Sequence, residues 1–334
     1  MARNVFAPDG SLVSPHWFDK STAHEILDQK ILAGEISGEL TETLHFFVDN
    51  GYCIYKEDVS DTVLDVARDE IEQLLADRPS TVLAASVRWR EGRPQPLSWF
   101  PKEIGAAPGF RVLDAHSHAP QLARLISLKK MHSIIRALLG EAVVATQSLY
   151  FTHGSTQNLH RDPWYVITNP VSNLLAAWIA LEDITEESGP LTFVPGSHTI
   201  PYLPLNTGDI IFHDPAATLE AKADHHRHMQ EEITRRDLKI KKFLAKKGEV
   251  LIWHASLLHG GSTVLQPELT RSSFVVHFDC LKAHNRHAQT LKLPDGSSKV
   301  LATHEIVNRN GSLYYDNPLV EASARSFLLN GNAD

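Results

Sequence analysis

The sequence has few cysteines, no long apolar run and no excess of positive charge. Its two cysteines, Cys53 and Cys280, are too few for a disulfide framework, so we expect a reducing compartment, the cytoplasm. No stretch approaches the roughly 18 apolar residues that a membrane span needs, and the amino terminus lacks an apolar segment of signal-peptide length. A net charge of −8 argues against a nucleic-acid partner, which usually requires a clustered basic face.

The first part of the chain carries apolar residues at helical spacing. One such stretch ends at Gly51, and glycine commonly terminates helices. Ser60 is placed to cap a second helix. The spacing over residues 122–139 predicts one long helix that ends at Gly140. Residues 80–118 are irregular and contain several prolines and glycines, which is typical of a loop.

After Gly140 the pattern changes to short β-rich runs that are separated by turn residues. Many short strands without helices between them indicate a β-sandwich or a closed barrel. One long charged interruption, 215–247, predicts a helical insertion between two strands. Two interpretations of this insertion remain open: a solvated helical excursion, or a mobile lid that closes over the substrate.

The most informative chemical pattern is His160-Arg161-Asp162, which follows a predicted strand. Residues two apart on an extended segment point to the same side, so an imidazole and a carboxylate can supply two corners of a metal site. Two histidines and one carboxylate leave positions open for other ligands, the arrangement of non-haem Fe(II) oxygenases. On the residues alone, the third ligand is either His254 or His259, in a late strand region.

Other polar clusters are weaker candidates for a metal site. His277 and Asp279 repeat the His-x-Asp spacing, but the histidines that follow lie in a polar stretch with no later strand to complete the site. Residues 224–228 contain three histidines within the charged insertion, where a solvated surface is the better interpretation. His116 and His118 precede a predicted helix, and we expect them to cap it or to lie in a loop.

Four ordered segments resemble the phytanoyl-CoA dioxygenase family of Fe(II)- and 2-oxoglutarate-dependent oxygenases. They are Gln157 to Tyr165, which holds the His-x-Asp pair; Trp178 to His198, which ends in Pro-Gly-Ser-His; Gly248 to Ser262; and Arg271, twelve residues beyond His259. A lone His-x-Asp pair would be a weak signal, whereas the ordered set is specific. This chain departs from the family at Gly260-Gly261, where a single glycine is more common.

The resemblance implies a mainly β fold with flanking helices, built on a double-stranded β-helix (jelly-roll, cupin-like) core. It implies one domain over residues 1–334. Within that domain we expect a helix-rich flank at 1–140, the core at 141–282 with the insertion at 215–247, and a carboxy-terminal extension at 283–334.

For the site, the resemblance implies three iron ligands that are also the catalytic residues, and three residues that bind the co-substrate. The iron ligands are His160, Asp162 and His259, and the co-substrate residues are Arg271, Trp178 and Ser262. Arg271 would anchor the distal carboxylate of 2-oxoglutarate, since a guanidinium binds a carboxylate through two hydrogen bonds. We further expect Tyr165, Arg235 and Arg236 to contact the substrate.

The implied reaction uses Fe(II), 2-oxoglutarate and O2, hydroxylates a small molecule, and releases succinate and CO2. Asp162 favours hydroxylation over halogenation, because related halogenases replace this carboxylate by a small residue so that chloride can bind. Two alternatives are a zinc hydrolase that uses the same two histidines and carboxylate, and a non-catalytic jelly roll that binds a small ligand. The sequence indicates neither the substrate nor the oligomeric state.

Overall fold

A computed structural model describes residues 14, 16–89, 94–140, 142–166, 168, 173–203, 219–280, 290–292, 298–300, 305–309 and 312–316. Within these residues the α-helices are α1 (Ala23–Leu32), α2 (Thr41–Asn50), α3 (Asp61–Asp77), α4 (Lys102–Gly105), α5 (Pro120–Arg124), α6 (Lys129–Leu139) and α7 (Leu219–Arg235). The strands are β1 (Tyr52–Lys56), β2 (Leu83–Ser86), β3 (Gln95–Pro96), β4 (Phe110–Leu113), β5 (Val143–Phe151), β6 (Leu175–Ala180), β7 (Leu191–Phe193), β8 (Lys241–Phe243), β9 (Glu249–His254), β10 (His259–Gly261), β11 (Ser273–Cys280), β12 (Thr290–Lys292), β13 (Ser298–Val300), β14 (Glu305–Arg309) and β15 (Ser312–Asp316). Among the described helices we find no segment with the length and hydrophobicity that a membrane span requires.

The first two predicted helix boundaries are confirmed. α2 ends at Asn50 and is followed by Gly51, whose φ of 75° is a left-handed conformation that glycine adopts without a Cβ clash. α3 begins after Ser60, whose side chain accepts a hydrogen bond from the Val63 backbone N–H. The inner side of α3 buries three residues at helical spacing, Leu64, Ala67 and Ile71.

The prediction of one long helix over residues 122–139 is wrong. The chain forms α5 and α6 instead, joined by a 3-10 turn over Leu125–Ser127, and Leu128 is extended with a ψ of 127°. Two distant carboxylates accept hydrogen bonds from the first turns of these helices. Glu70 binds two N–H groups of α5, and the buried Glu57 binds two N–H groups of α6 at 3.0 Å each. Because these caps are tertiary contacts, helical spacing alone does not reveal the break.

Two sheets form the core of the described chain. The large, mainly antiparallel sheet has the strand order β1-β9-β6-β11-β5-β4-β2-β3, and β15, itself paired with β14, joins it beside β5. The smaller sheet has the order β10-β7-β8, so that the insertion contributes a strand. Residues 80–118, predicted as a loop, supply β2, β3 and β4. Their strand character depends on long-range pairing, such as Val112 opposite Tyr150, which local sequence does not show.

The apolar core lies in two layers, one on each side of the large sheet. The layer between the two sheets includes Trp178, Phe193 and Trp253. The other layer packs the large sheet against the helices and includes Leu64, Ile134 and Phe274. This architecture confirms the predicted class, a jelly-roll core with flanking helices. Because strands from the amino-terminal flank and from residues 305–316 pair in the large sheet, we propose that the chain is a single domain.

Candidate metal centre

Two separate segments of the backbone meet at the predicted metal ligands. His160 and His259 form an antiparallel bridge, in which each backbone N–H donates to the carbonyl of the other residue, at 2.9 and 3.0 Å. The N–H of Asp162 donates to the Ala255 carbonyl at 3.2 Å. The strand pairing therefore brings His259 to the His-x-Asp pair from a distant part of the sequence.

The ligand atoms of these three residues form a buried cluster. One atom from each of His160, Asp162 and His259 lies within 4.8 Å of the other two. Nδ1 of His160 is 2.8 Å from the Asn158 carbonyl, and Nδ1 of His259 is 3.0 Å from the Leu257 carbonyl. A carbonyl only accepts hydrogen bonds, so both contacts place the proton on Nδ1 and leave the Nε2 lone pair for a metal ion.

His254, the other candidate for the third ligand, lies outside this cluster. Its Nε2 is 2.8 Å from Oδ1 of Asp19, and its Nδ1 accepts a hydrogen bond from the Ser256 N–H at 2.9 Å. Both ring nitrogens are therefore engaged elsewhere in the protein. The structure brings His259, and not His254, to the predicted site.

The carboxylate of Asp162 is held from both sides. Its Oδ2 accepts a hydrogen bond from the Trp253 indole at 2.6 Å. Its Oδ1 faces Nε2 of His259 at 3.4 Å and Nε2 of His277 at 3.6 Å. Burial alone would raise the pKa of Asp162, but the neighbouring His259 and His277 hold it well below its usual value. The group is thus an anion across the neutral pH range and is oriented before any metal binds.

The pKa values of the two predicted histidine ligands are shifted in opposite directions. Burial, together with the neighbouring His259, lowers the pKa of His160 to about 3, so this imidazole is neutral and ready to bind a metal. Burial would also lower the pKa of His259, but the Asp162 carboxylate outweighs it and raises the pKa. Metal binding at His259 must therefore compete with a proton at mildly acidic pH.

The Gly260-Gly261 pair allows β10 to lie directly against residues 155–158. A Cβ at Gly260 would approach the Gln157 carbonyl oxygen to 2.6 Å, and one at Gly261 would approach the Thr156 nitrogen to 2.8 Å. Such distances are too short for a real side chain. The second glycine, a departure from the family pattern, is therefore required by close backbone packing beside His259.

Arg271 lies fully buried in the cavity that the metal cluster lines. Its guanidinium carbon is 5.7 Å from the ring centroids of both Phe151 and Trp178. One nitrogen makes a 3.4 Å contact with the Gly189 carbonyl, and Nε has no hydrogen-bond partner in the part of the chain that the structure describes. Burial lowers the pKa of Arg271 to about 10, and within the described residues no carboxylate pairs with it. Such a buried cation is suited to an anionic ligand.

The remaining predicted site residues lie at the edge of the cavity or away from it. The Ser262 hydroxyl donates to the Pro190 carbonyl at 2.9 Å, and Ser262 is not among the residues that line the metal cavity. The exposed Tyr165 contacts the His160 ring edge-on, with centroids 5.3 Å apart. Arg235 and Arg236 both pair with Glu232 at the end of α7, at 2.7 and 2.8 Å. Neither arginine lines the cavity.

One face of α7 is buried, so the solvated interpretation of residues 224–228 does not hold for that face. His225, Met229 and Ile233, spaced four residues apart, are buried. They pack in a small apolar cluster with Trp164, which is in the same 3-10 turn as Asp162. The insertion thus supports the back of the metal site. Whether it also acts as a lid stays a prediction.

His277 lies beside the metal cluster and was not predicted there. It was rejected with Asp279 as a second metal pair, yet it is buried and its Nε2 faces Asp162. No described residue forms a hydrogen bond with its Nδ1. The signal that would have identified it is strand alternation, because His277 lies on the same face of β11 as Val275, which also lines the cavity.

Comparison with known proteins agrees with this geometry. A family model described as phytanoyl-CoA dioxygenase (PhyH) matches residues 47–271. Among curated proteins, the mouse (Mus musculus) "phytanoyl-CoA dioxygenase domain-containing protein 1" is 34% identical over 88 residues, which are 25% of this chain and 30% of that protein. The alignment thus spans less than a third of that relative's length.

Solved structures share the fold at low sequence identity. EctD from S. alaskensis, crystallised with 2-oxoglutarate and 5-hydroxyectoine, is 19% identical with a TM-score of 0.50, over 72% of this chain and 76% of that one. The epimerase SnoN, crystallised with Fe3+, alpha ketoglutarate and nogalamycin RO, is 18% identical with a TM-score of 0.54, over 83% of this chain and 98% of that one. At these identities the similarity concerns the fold alone.

Proposed function

Because the chain belongs to the phytanoyl-CoA dioxygenase family, we propose that it is an Fe(II)- and 2-oxoglutarate-dependent dioxygenase. The proposed reaction hydroxylates a small molecule with O2 and converts 2-oxoglutarate to succinate and CO2. His160, Asp162 and His259 would hold the iron, and Arg271 would bind the distal carboxylate of 2-oxoglutarate. The observation that carries the proposal is the buried Arg271, which shares one cavity with the metal cluster and has no carboxylate partner in the described chain.

Bound iron would supply the redox chemistry that activates O2. The chain's own residues hold the co-substrate and limit water. Phe151 and Trp178 flank the Arg271 guanidinium, and their low polarity strengthens its attraction for a carboxylate. The buried indole N–H of Trp178 has no acceptor among the described residues, so it is available to donate to a bound carboxylate.

Asp162 supports hydroxylation as the outcome. A halogenase needs a vacant ligand position for a halide, and here a buried, oriented carboxylate occupies that position. The structural similarity to SnoN, an epimerase, indicates that this fold carries other outcomes as well. The product of the reaction therefore has to be identified directly.

Arg271 also separates this proposal from the two alternatives. A zinc hydrolase needs a metal-bound water and a polarised substrate, and it has no use for a buried, unpaired guanidinium beside the metal. A non-catalytic jelly roll has no use for three converging metal ligands.

Succinate formation tests the proposal. Protein purified without O2 is reconstituted with Fe(II) or with Zn(II), mixed with 2-oxoglutarate and O2, and assayed for succinate over several enzyme equivalents. We expect succinate with Fe(II) only. Arg271→Gln should raise the 2-oxoglutarate requirement about tenfold or more, because a hydrogen bond to a charged group contributes about 1.5–3 kcal/mol.

The matched control is Arg227→Gln, which changes an arginine that is 65% exposed and is not among the residues that line the cavity. This variant should behave as the wild type. Equal succinate yields with Fe(II) and Zn(II), or none with Fe(II), would contradict the proposed function. An unchanged requirement in Arg271→Gln would place the co-substrate anchor elsewhere.

A further inference from the structure

β4 presents one cationic side chain on the face of the large sheet that lines the metal cavity. In the pairing of β4 with β5, Leu113 lies opposite Leu149 and Val112 lies opposite Tyr150. Leu149 lines the cavity, whereas Val112 and Tyr150 pack in the layer beneath the helices. Because alternate side chains of a strand point to opposite faces, Arg111 shares the cavity face with Leu113.

Tyr165 lies near both Arg111 and the metal cluster. Burial lowers the pKa of the Arg111 guanidinium, and the nearby Tyr165 opposes part of that shift. The Tyr165 ring contacts His160, with centroids 5.3 Å apart. Burial raises the pKa of Tyr165, and the nearby Gln157, which lines the cavity, opposes part of that shift. In the described part of the chain no carboxylate pairs with Arg111, so the cavity face of β4 carries a partly buried cation.

Three other arginines near the site have partners of their own. Arg235 and Arg236 share the carboxylate of Glu232. Arg161, between the two metal ligands in sequence, donates to two backbone carbonyls and lies over the Tyr202 ring at 4.1 Å. Their positive charges therefore have structural roles. Arg271 lines the cavity, and Arg111 lies on the cavity face of β4.

We propose that Arg111 binds a carboxylate of the primary substrate, with the Tyr165 hydroxyl and the Gln157 amide beside it. This inference rests on the proposed function, in which 2-oxoglutarate binds to Arg271. A second anionic molecule, the primary substrate, then needs a second cationic side chain. A guanidinium binds a carboxylate through two parallel N–H bonds, and partial burial makes the attraction stronger than in water. The primary substrate is therefore a small organic acid.

Paired probes test the inference without a known substrate. The probes are straight-chain and phenyl-substituted carboxylic acids of increasing length, each matched with its own primary amide. Their Kd values are measured by calorimetry on protein loaded with Mn(II) and saturating 2-oxoglutarate in O2-free buffer, so that Arg271 is occupied. The proteins are the wild type, Arg111→Gln, Arg111→Lys and the exposed control Arg227→Gln, each checked for cooperative thermal unfolding.

We expect at least one acid to bind the wild type about tenfold or more tightly than its amide. Arg111→Gln should abolish this preference, Arg111→Lys should retain part of it, and Arg227→Gln should retain all of it. Equal affinities for acids and amides across the panel, or an acid preference that survives in Arg111→Gln, would overturn the inference. Failure of 2-oxoglutarate itself to bind in the loading step would instead count against the proposed function, so the two failures are distinguishable.

Discussion

Replacing Trp253 by phenylalanine should weaken metal binding by about tenfold to a hundredfold. The Trp253 indole donates a buried hydrogen bond to Oδ2 of Asp162 at 2.6 Å. Phenylalanine removes this donor but keeps an aromatic ring beside His259, whose ring centroid lies 4.6 Å from that of Trp253. A hydrogen bond to a charged group contributes about 1.5–3 kcal/mol, and about 1.4 kcal/mol corresponds to a tenfold change in Kd. The free-energy range therefore corresponds to the expected tenfold to hundredfold loss of metal affinity.

Calorimetric titration of metal-free protein with Mn(II) in O2-free buffer measures this change. The matched control is Trp178→Phe, because the Trp178 indole N–H lies in the same cavity and no described residue accepts a hydrogen bond from it. We expect the control to keep the wild-type Kd for the metal. An unchanged Kd in Trp253→Phe would show that this hydrogen bond does not orient Asp162. If both variants lose the same metal affinity, ring size is the cause instead.

Three further predictions follow from particular contacts. Because Asp162 raises the pKa of His259, metal binding at mildly acidic pH should release a proton from this ring, and the release should fall as the pH rises through that pKa. Titrations in two buffers of different ionisation enthalpy measure the released protons, and no release at any pH would contradict the direction of the pKa shift. Met229→Ala should lower the free energy of unfolding, measured by urea denaturation, by about 2–5 kcal/mol, because Met229 is 1% exposed on α7. The exposed control Arg227→Ala should change it by less than about 0.5 kcal/mol. Equally small changes in both variants would mean that α7 is not packed against the protein. Ser60→Ala should cost about 1 kcal/mol in the same assay, through the lost cap of α3, and an unchanged midpoint would show that the cap contributes nothing.

One part of the metal cluster could be anticipated from a local signal, because His160 and Asp162 are two residues apart on extended chain. The choice of His259 over His254 came instead from the resemblance to a known family. Local residue type also predicted the boundaries of α2 at Gly51 and of α3 at Ser60, where a single residue type meets a specific backbone requirement. Such features need no knowledge of the tertiary fold.

The parts that were missed depend on contacts between distant segments. His277 faces Asp162 only because β11 pairs with β5 and β6 in a particular register. The break before α6 depends on the side chain of Glu57, far away in the sequence. The many charged residues of α7 led to the prediction of a solvated surface, although Met229 and Ile233 lie at helical spacing and mark a buried face. Arg111 lies in a segment predicted as a loop, and only the register of β4 shows which way it points.

The metal dependence of 2-oxoglutarate binding is the most direct test of the proposed metal and co-substrate site. Calorimetric titrations in O2-free buffer compare Mn(II)-loaded with metal-free protein, for the wild type and for Asp162→Ala. We expect the metal to tighten 2-oxoglutarate binding to the wild type by about tenfold or more. Asp162→Ala should remove most of this gain, because the site loses its anionic ligand. Equal 2-oxoglutarate affinity with and without metal in the wild type would show that 2-oxoglutarate does not bind at the metal.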